Sequence, residues 1–187
     1  MKKGIFLAGS GGHGIQVVGK TMVTAYNTDS LRATYSPRYG VEKRGGLSSC
    51  YIVISDSRIG NPRQGKNDVV VLMEPKCYGQ FRGDVNPGGV LIVNETLVED
   101  DGYCPEGAQK LMIPISRAAA ELGSEKVIST VLLGVLAGVP GVVEDAEELK
   151  RTMLGMLAKK PALLPLNEKA FEAGKALAEK TWKDRKA

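Results

Sequence analysis

The chain has 187 residues, 43% of them hydrophobic, and a formal net charge of +4 at neutral pH. This is enough to bury one core, but two full domains would be cramped. The charge excess collects in Lys159-Lys160 and the tail from Lys180 to Lys186, the pattern of solvated helix surface, and gives no case for nucleic acid. Cys50, Cys77 and Cys104 lie far apart and form no C-x-x-C pair, which argues against a zinc site, an iron-sulfur site or a disulfide framework; no metal ligands are expected. The apolar run Ile5-Phe6-Leu7-Ala8 is too short for a signal-peptide core or a membrane span, so a cytoplasmic chain without membrane contact is expected.

In chain order, residues 3 to 8 read as a buried strand and 12 to 27 as a helix. Residues 31 to 36 and 47 to 54 read as a second and a third strand. Asp68 to Met73 is apolar after its first residue, as a parallel strand covered on both faces would be. Pro75 starts a short helix, Asn86-Pro87-Gly88-Gly89 reads as a turn, and Val90 to Val93 and 111 to 115 are two more short strands. Val127 to Val139 is apolar on nearly every side, so it is a buried helix covered either within the chain or by a partner. A helix over Glu144 to Lys160 follows, and Asn167 caps a last one whose stripe includes Phe171, Gly174 and Trp182. The expected fold class is α/β: a mainly parallel sheet with helices on both faces, a Rossmann-like start and a helical C-terminal third. A single domain is expected over 1–187, with an α/β core at 1–139 and a helical extension at 140–187.

Two stretches carry chemistry. Gly9-Ser10-Gly11-Gly12-His13-Gly14 follows a strand and opens a helix, the context in which backbone N–H groups face an anion at a helix N-terminus. A dinucleotide would also need an acid at the end of the second strand. That strand ends at Pro37 without one, and Asp29 precedes it. The glycines can equally serve close helix–strand approach. His13, the only histidine, reads as a polar loop residue with no acid–base role, and no catalytic residue is assigned. The second stretch, 36 to 46, concentrates Arg38, Lys43 and Arg44 in a glycine-rich loop; a ligand loop and a solvated crossover both fit it.

Together with Gly19-Lys20, Ile52-Val53-Ile54-Ser55, Asp68 and Pro87-Gly88-Gly89, the glycine loop and Tyr39-Gly40-Val41-Glu42-Lys43-Arg44-Gly45-Gly46 resemble the gamma subunit of the 2-oxoacid:ferredoxin oxidoreductases. The resemblance spans residues 3 to about 135, is nearest to the 2-oxoglutarate type, and departs from the family in having His13 where Gln is common. It implies one subunit of a complex that converts a 2-oxoacid, coenzyme A and oxidised ferredoxin to acyl-coenzyme A, carbon dioxide and reduced ferredoxin. Thiamine diphosphate and iron-sulfur clusters would sit on partner subunits, namely alpha, beta and a ferredoxin-like subunit, since this chain has no Gly-Asp-Gly diphosphate motif and no cluster-ligating cysteine run. Coenzyme A is the candidate ligand here, at Gly9, Ser10, Gly11, Gly12, His13, Gly14, Tyr39, Arg44, Gly45 and Gly46. Two alternatives remain: a stand-alone nucleotide-binding oxidoreductase, and the gamma-type subunit of indolepyruvate oxidoreductase.

Overall fold

The computed structural model describes residues 1–40 and 46–185. Six strands, β1 (Lys2–Ser10), β2 (Arg32–Tyr39), β3 (Leu47–Ser55), β4 (Asn67–Leu72), β5 (Val85–Asn94) and β6 (Gln109–Ile113), form one sheet in the order β2-β3-β1-β4-β5-β6. The β1-β4, β4-β5 and β5-β6 pairs are parallel; β3 runs antiparallel to both β1 and β2. The helices are α1 (Ile15–Tyr26), α2 (Pro75–Phe81), α3 (Ile115–Glu121), α4 (Ile128–Gly138), α5 (Ala146–Met156) and α6 (Leu164–Asp184).

The helices divide unequally between the faces. Ile5, Leu7, Val69, Val71, Ile92 and Leu111 point to the face covered by α1, α3, α4, α5 and α6. Phe6, Ala8, Val70, Leu72, Leu91 and Val93 point to the other, where α2 supplies Cys77, Tyr78 and Phe81. Alternate residues of β4 thus enter different cores, which is why its sequence is apolar without a break.

Several expected boundaries move, each for a local reason. The first helix starts at Ile15 because Gly14, in the left-handed conformation, is its N-cap. Strand β2 continues through Pro37; it is an edge strand, where a missing N–H leaves no ladder partner short. Asn86 to Gly89, expected as a turn ahead of the strand, lies inside β5 as a register shift, with Gly88 at φ 79°. Asp145 caps α5 by accepting from the N–H groups of Glu147 and Glu148 at 2.9 and 3.0 Å, and Lys159-Lys160 fall beyond that helix. Asn167 does not cap α6 but sits within it. Its Nδ2 donates to the Leu163 carbonyl at 2.9 Å, and its Oδ1 accepts from Thr130 Oγ1 at 2.6 Å. Helix α3 had no sequence counterpart, because its seven residues are too few for periodicity to show.

The buried helix over 128–138 is covered within the chain, by α6. Val131, Leu132, Val135 and Leu136 on α4, and Ala170, Phe171 and Ala178 on α6, are wholly inaccessible to solvent.

Asp68 has a structural task. Its Oδ2 accepts from the Gly4 N–H at 2.7 Å and its Oδ1 from Asn86 Nδ2 at 2.9 Å, so one carboxylate ties β1, β4 and β5 together. Asp68→Ala leaves a backbone donor without its acceptor, and urea denaturation is expected to show a loss of about 1–3 kcal/mol. Asp68→Asn keeps one acceptor oxygen and should lose less.

Candidate functional site

Strands β1 and β4 are parallel neighbours whose following helices leave to opposite faces: α1 joins the larger core and α2 the smaller. This is the switch point at which open α/β sheets form a crevice beyond their carboxyl ends. The glycine loop lies there. The Met73 N–H donates to the Ala8 carbonyl at 3.0 Å, continuing the β1-β4 ladder up to that loop.

Within the loop the polar groups brace one another. His13 Nδ1 accepts from the Ser10 backbone N–H at 3.1 Å and lies 3.3 Å from Ser10 Oγ. The His13 N–H donates back to the Ser10 carbonyl at 3.3 Å. An accepting Nδ1 places the neutral ring's proton on Nε2. Burial lowers the imidazole pKa from its ordinary value, against an opposing pull from Glu74, so the ring stays uncharged at neutral pH. His13 is therefore a brace for the turn.

The glycines divide by function. A Cβ at Gly9 would meet His13 Nδ1 at 2.9 Å and Met73 at 3.1 Å; one at Gly14 would lie 2.5 Å from Ser129 Cβ, and Gly14 has φ 68°. These two permit close packing of strand, loop and α4. Gly12 has φ 107°, a conformational reason to be glycine, while a Cβ at Gly11 would meet nothing within 4 Å. Neither packing nor φ accounts for Gly11. Beside it opens a crevice of about 300 Å³ lined by Gly11, Gly12, His13, Leu97, Ser116, Ala119, Glu125 and Ile128. Among the described residues no cation lies in that lining, and helix α1 has no side-chain cap at its N-terminus.

The second motif comes to the same sheet edge. Leu47 pairs with Ser10 and Ser48 with Gly9, while Tyr39 pairs with Ser48. The Gly40 N–H closes the hairpin on the Leu47 carbonyl at 2.7 Å. The β2-β3 hairpin therefore leaves the sheet beside the glycine loop, on the side away from the crevice. Gly46 is described there and half-buried, whereas Arg44 and Gly45 lie outside the described residues. Tyr39 is 67% exposed and lines a separate small hollow toward α2, with Arg38, Gln80 and Phe81.

Gln16 was not singled out by the sequence, though it orients the two motifs. Its Nε2 donates to Ser48 Oγ at 2.8 Å and to the Ser49 carbonyl at 3.0 Å, and its Oε1 accepts from the Tyr35 hydroxyl at 2.6 Å. The first turn of α1 is thereby fixed to the base of the hairpin. The buried thiols are inert: burial pushes Cys50 up to about 12, and burial with Glu74 nearby pushes Cys77 up to about 12. Cys104 is exposed. Among the described residues no group of three or more His, Cys, Asp or Glu could hold a metal ion, and no helix is long and apolar enough to cross a membrane.

The topology bears on the dinucleotide reading. In such a site the ribose acid comes from a second strand lying beside the first. Here β3 occupies that place, antiparallel, and β2 lies one strand farther out, so Asp29 precedes a strand that never borders β1.

Fold and loop thus define an α/β chain with an exposed, braced glycine loop at its switch point. The chain belongs to the pyruvate ferredoxin/flavodoxin oxidoreductase family, whose model matches residues 4–177. It is 33% identical over 161 residues to the 2-oxoglutarate synthase subunit KorC of Methanocaldococcus jannaschii, covering 85% of this chain and 86% of that one. It is 31% identical over 169 residues to the ketoisovalerate oxidoreductase subunit VorA of Methanothermobacter thermautotrophicus, covering 90% of this chain; it spans only 35% of VorA's length. The gamma subunit of a keto/oxoacid ferredoxin oxidoreductase from Geobacter sulfurreducens superposes with a TM-score of 0.81 at 28% identity, covering 97% of this chain and 98% of that one. A 2-oxoglutarate:ferredoxin oxidoreductase structure from Magnetococcus marinus, with 2-oxoglutarate, coenzyme A and succinyl-CoA bound, superposes with a TM-score of 0.86 at 26% identity, covering 96% of this chain and 31% of that one.

Proposed function

We propose that this chain is the gamma-type subunit of a cytoplasmic complex that oxidatively decarboxylates a 2-oxoacid, 2-oxoglutarate by preference, to acyl-coenzyme A, carbon dioxide and reduced ferredoxin. Its partners are alpha and beta subunits, the latter carrying thiamine diphosphate, and a ferredoxin-like subunit carrying the clusters. Thiamine diphosphate supplies carbanion stabilisation, and the clusters carry the electrons to ferredoxin. KorC, matched over most of both chains, favours 2-oxoglutarate.

Within that complex the glycine loop and Arg44 receive the phosphates of coenzyme A. The observation that carries this reading is Gly11, whose missing side chain serves no contact inside the chain. A glycine turn ahead of a helix offers N–H groups, and the helix dipole favours an anion there by about 0.3–1 kcal/mol. Because the described residues of the crevice lining supply no cation, the charge partner is assigned to the adjoining hairpin, where Arg44 offers a planar fork suited to phosphate.

Two measurements test this. The purified chain alone should turn over no 2-oxoacid with viologen dyes, and omitting it from the reconstituted complex should abolish coenzyme A-dependent oxidation; activity of the contaminant-free chain alone would refute the subunit reading. Arg44→Ala in the assembled complex should raise the KM for coenzyme A while leaving assembly intact. An unchanged constant in a fully assembled variant rejects the ligand role, and lost assembly assigns Arg44 to scaffolding.

A further inference from the structure

Away from the glycine loop, the larger helical layer carries an apolar groove of about 310 Å³ between α1, α4, α5 and the start of α6. Its apolar walls include Val17, Leu133, Met153, Met156, Leu163 and Leu166. Three of these remain exposed, Val17 at 51%, Met156 at 51% and Leu163 at 41%, although this layer holds the chain's main core. Large side chains left in water around a concave apolar surface mark an interaction site.

The chemistry of the walls narrows the occupant. Polar side chains in the groove are mostly engaged already: Thr21 Oγ1 donates to the Val17 carbonyl at 2.9 Å, Thr130 Oγ1 to Asn167 Oδ1 at 2.6 Å, and Asn167 Nδ2 to the Leu163 carbonyl at 2.9 Å. A polar metabolite would find few hydrogen-bond partners, whereas apolar side chains would displace only loosely held water. Lysines line the groove or lie close in sequence to residues that do. Lys126 lines the groove, Lys20 lies on α1 between Val17 and Thr24, and Lys159 and Lys160 join Leu157 to Leu163. Among the described residues none of these four lysines takes part in an ion pair, and no Asp or Glu lines the groove. A segment with apolar anchors and flanking carboxylates complements both features.

The family match adds a reason to expect polypeptide here. The same unit matches KorC over most of its length and VorA over about a third, so it exists both by itself and joined to further chain. Some of its surface is therefore built to face other polypeptide.

We propose that this groove seats a segment of a partner subunit, which inserts apolar side chains between α1, α5 and the entry to α6 and presents acidic residues to Lys20, Lys126, Lys159 and Lys160. The proposal rests on the reading that the chain works inside a multisubunit oxidoreductase. The test uses the reconstituted complex, with association followed by native mass spectrometry and by binding kinetics over a range of salt. Met156→Asp with Leu163→Asp should weaken association at least 10-fold. Lys126→Glu with Lys159→Glu and Lys160→Glu should slow association about 10-fold at low salt and flatten its salt dependence. Ala176→Asp, on an exposed part of α6 remote from the groove, should assemble normally. All three lysines are exposed, so the charge-reversed chain folds even if the aspartate variant does not. A benzophenone photoprobe at position 163 should capture a partner peptide with Asp or Glu within a few residues of Leu, Ile, Phe or Met. Undiminished assembly of both groove variants, capture of a second copy of this chain, or capture of a peptide without acids overturns the proposal. If the wild-type chain itself fails to join the complex, the subunit reading falls as well; if it joins and the groove variants join equally, the groove proposal alone falls.

Discussion

Gly174→Val is expected to be among the most destabilising single substitutions in the helical layer, costing about 3 kcal/mol or more, a large share of the stability of a single domain. A Cβ at Gly174 would lie 2.0 Å from the Val131 carbonyl oxygen on α4. The reciprocal contact has the same form: at Gly134 it would lie 2.0 Å from the Phe171 oxygen, and at Gly138 2.4 Å from that of Lys175. The obstacles are backbone atoms of a packed helix, so no rotamer change can relieve them. The two helices would have to separate by roughly 1 Å or more, weakening dispersion contacts along the whole interface. Gly174→Ala meets the same carbonyl with one methyl and should cost about 1–3 kcal/mol, with a fall in Tm of about 2–4 °C for each kcal/mol. Thermal melting of Gly134→Ala, Gly174→Ala and the double variant checks the cause. If the clash acts by separating the helices, the double variant loses less than the sum, because the second methyl enters space already opened. Full additivity, or a Gly174→Val chain as stable as the wild type, contradicts this packing.

That interface was partly legible in the sequence. Gly134 and Gly138 are four residues apart on α4, and Ala170, Gly174 and Ala178 keep the same spacing on α6, so each helix carries a small-residue stripe along its i±4 ridge. Hydropathy alone marked residues 127 to 139 as apolar on nearly every side and left open whether the cover came from the same chain; the small residues identify it. The strands were legible because β4 and β5 are buried on both faces and read as continuous apolar runs. The order of the sheet was not, since placing β3 between β2 and β1 depends on long-range pairing and leaves no local mark. At the site, glycine spacing revealed the loop, while the stretch 36 to 46 read equally as a ligand loop or a solvated crossover; the pairing of Ser10 with Leu47 brings the two together at the backbone. Gln16 escaped notice because a glutamine in a first helical turn looks like ordinary surface until the tyrosine and serine it joins are brought to it by the fold.

Gly11→Val and Gly14→Val should fail in different ways, and the contrast separates a ligand loop from a packing device. Gly14 has φ 68°, and its absent Cβ would overlap Ser129 at 2.5 Å. A β-branched residue there is strained in backbone and displaced by α4, so Gly14→Val should lose stability by at least about 2 kcal/mol and weaken assembly and activity together. At Gly11 a Cβ meets nothing within 4 Å and φ lies outside the left-handed region. The isolated Gly11→Val chain should therefore melt within a degree or two of the wild type. What valine removes is open space above the loop, beside the crevice and next to the first turn of α1. If coenzyme A phosphates approach the backbone here, an isopropyl group holds them away from the N–H donors, and an uncapped helix end loses its anion. The assembled enzyme should then show a KM for coenzyme A raised roughly 10-fold or more, equivalent to about 1.4 kcal/mol of lost binding, with the KM for the 2-oxoacid unchanged. The crevice also holds Glu125, which opposes a second phosphate on that side. Glu125→Gln should therefore lower the KM for coenzyme A if the pyrophosphate lies toward the crevice, and leave it unchanged if the phosphates lie toward the hairpin. Steady-state titration of coenzyme A with the three variants distinguishes these cases. A Gly11→Val complex that is stable, assembled and unaltered in its coenzyme A dependence would show that this loop only joins β1 to α1.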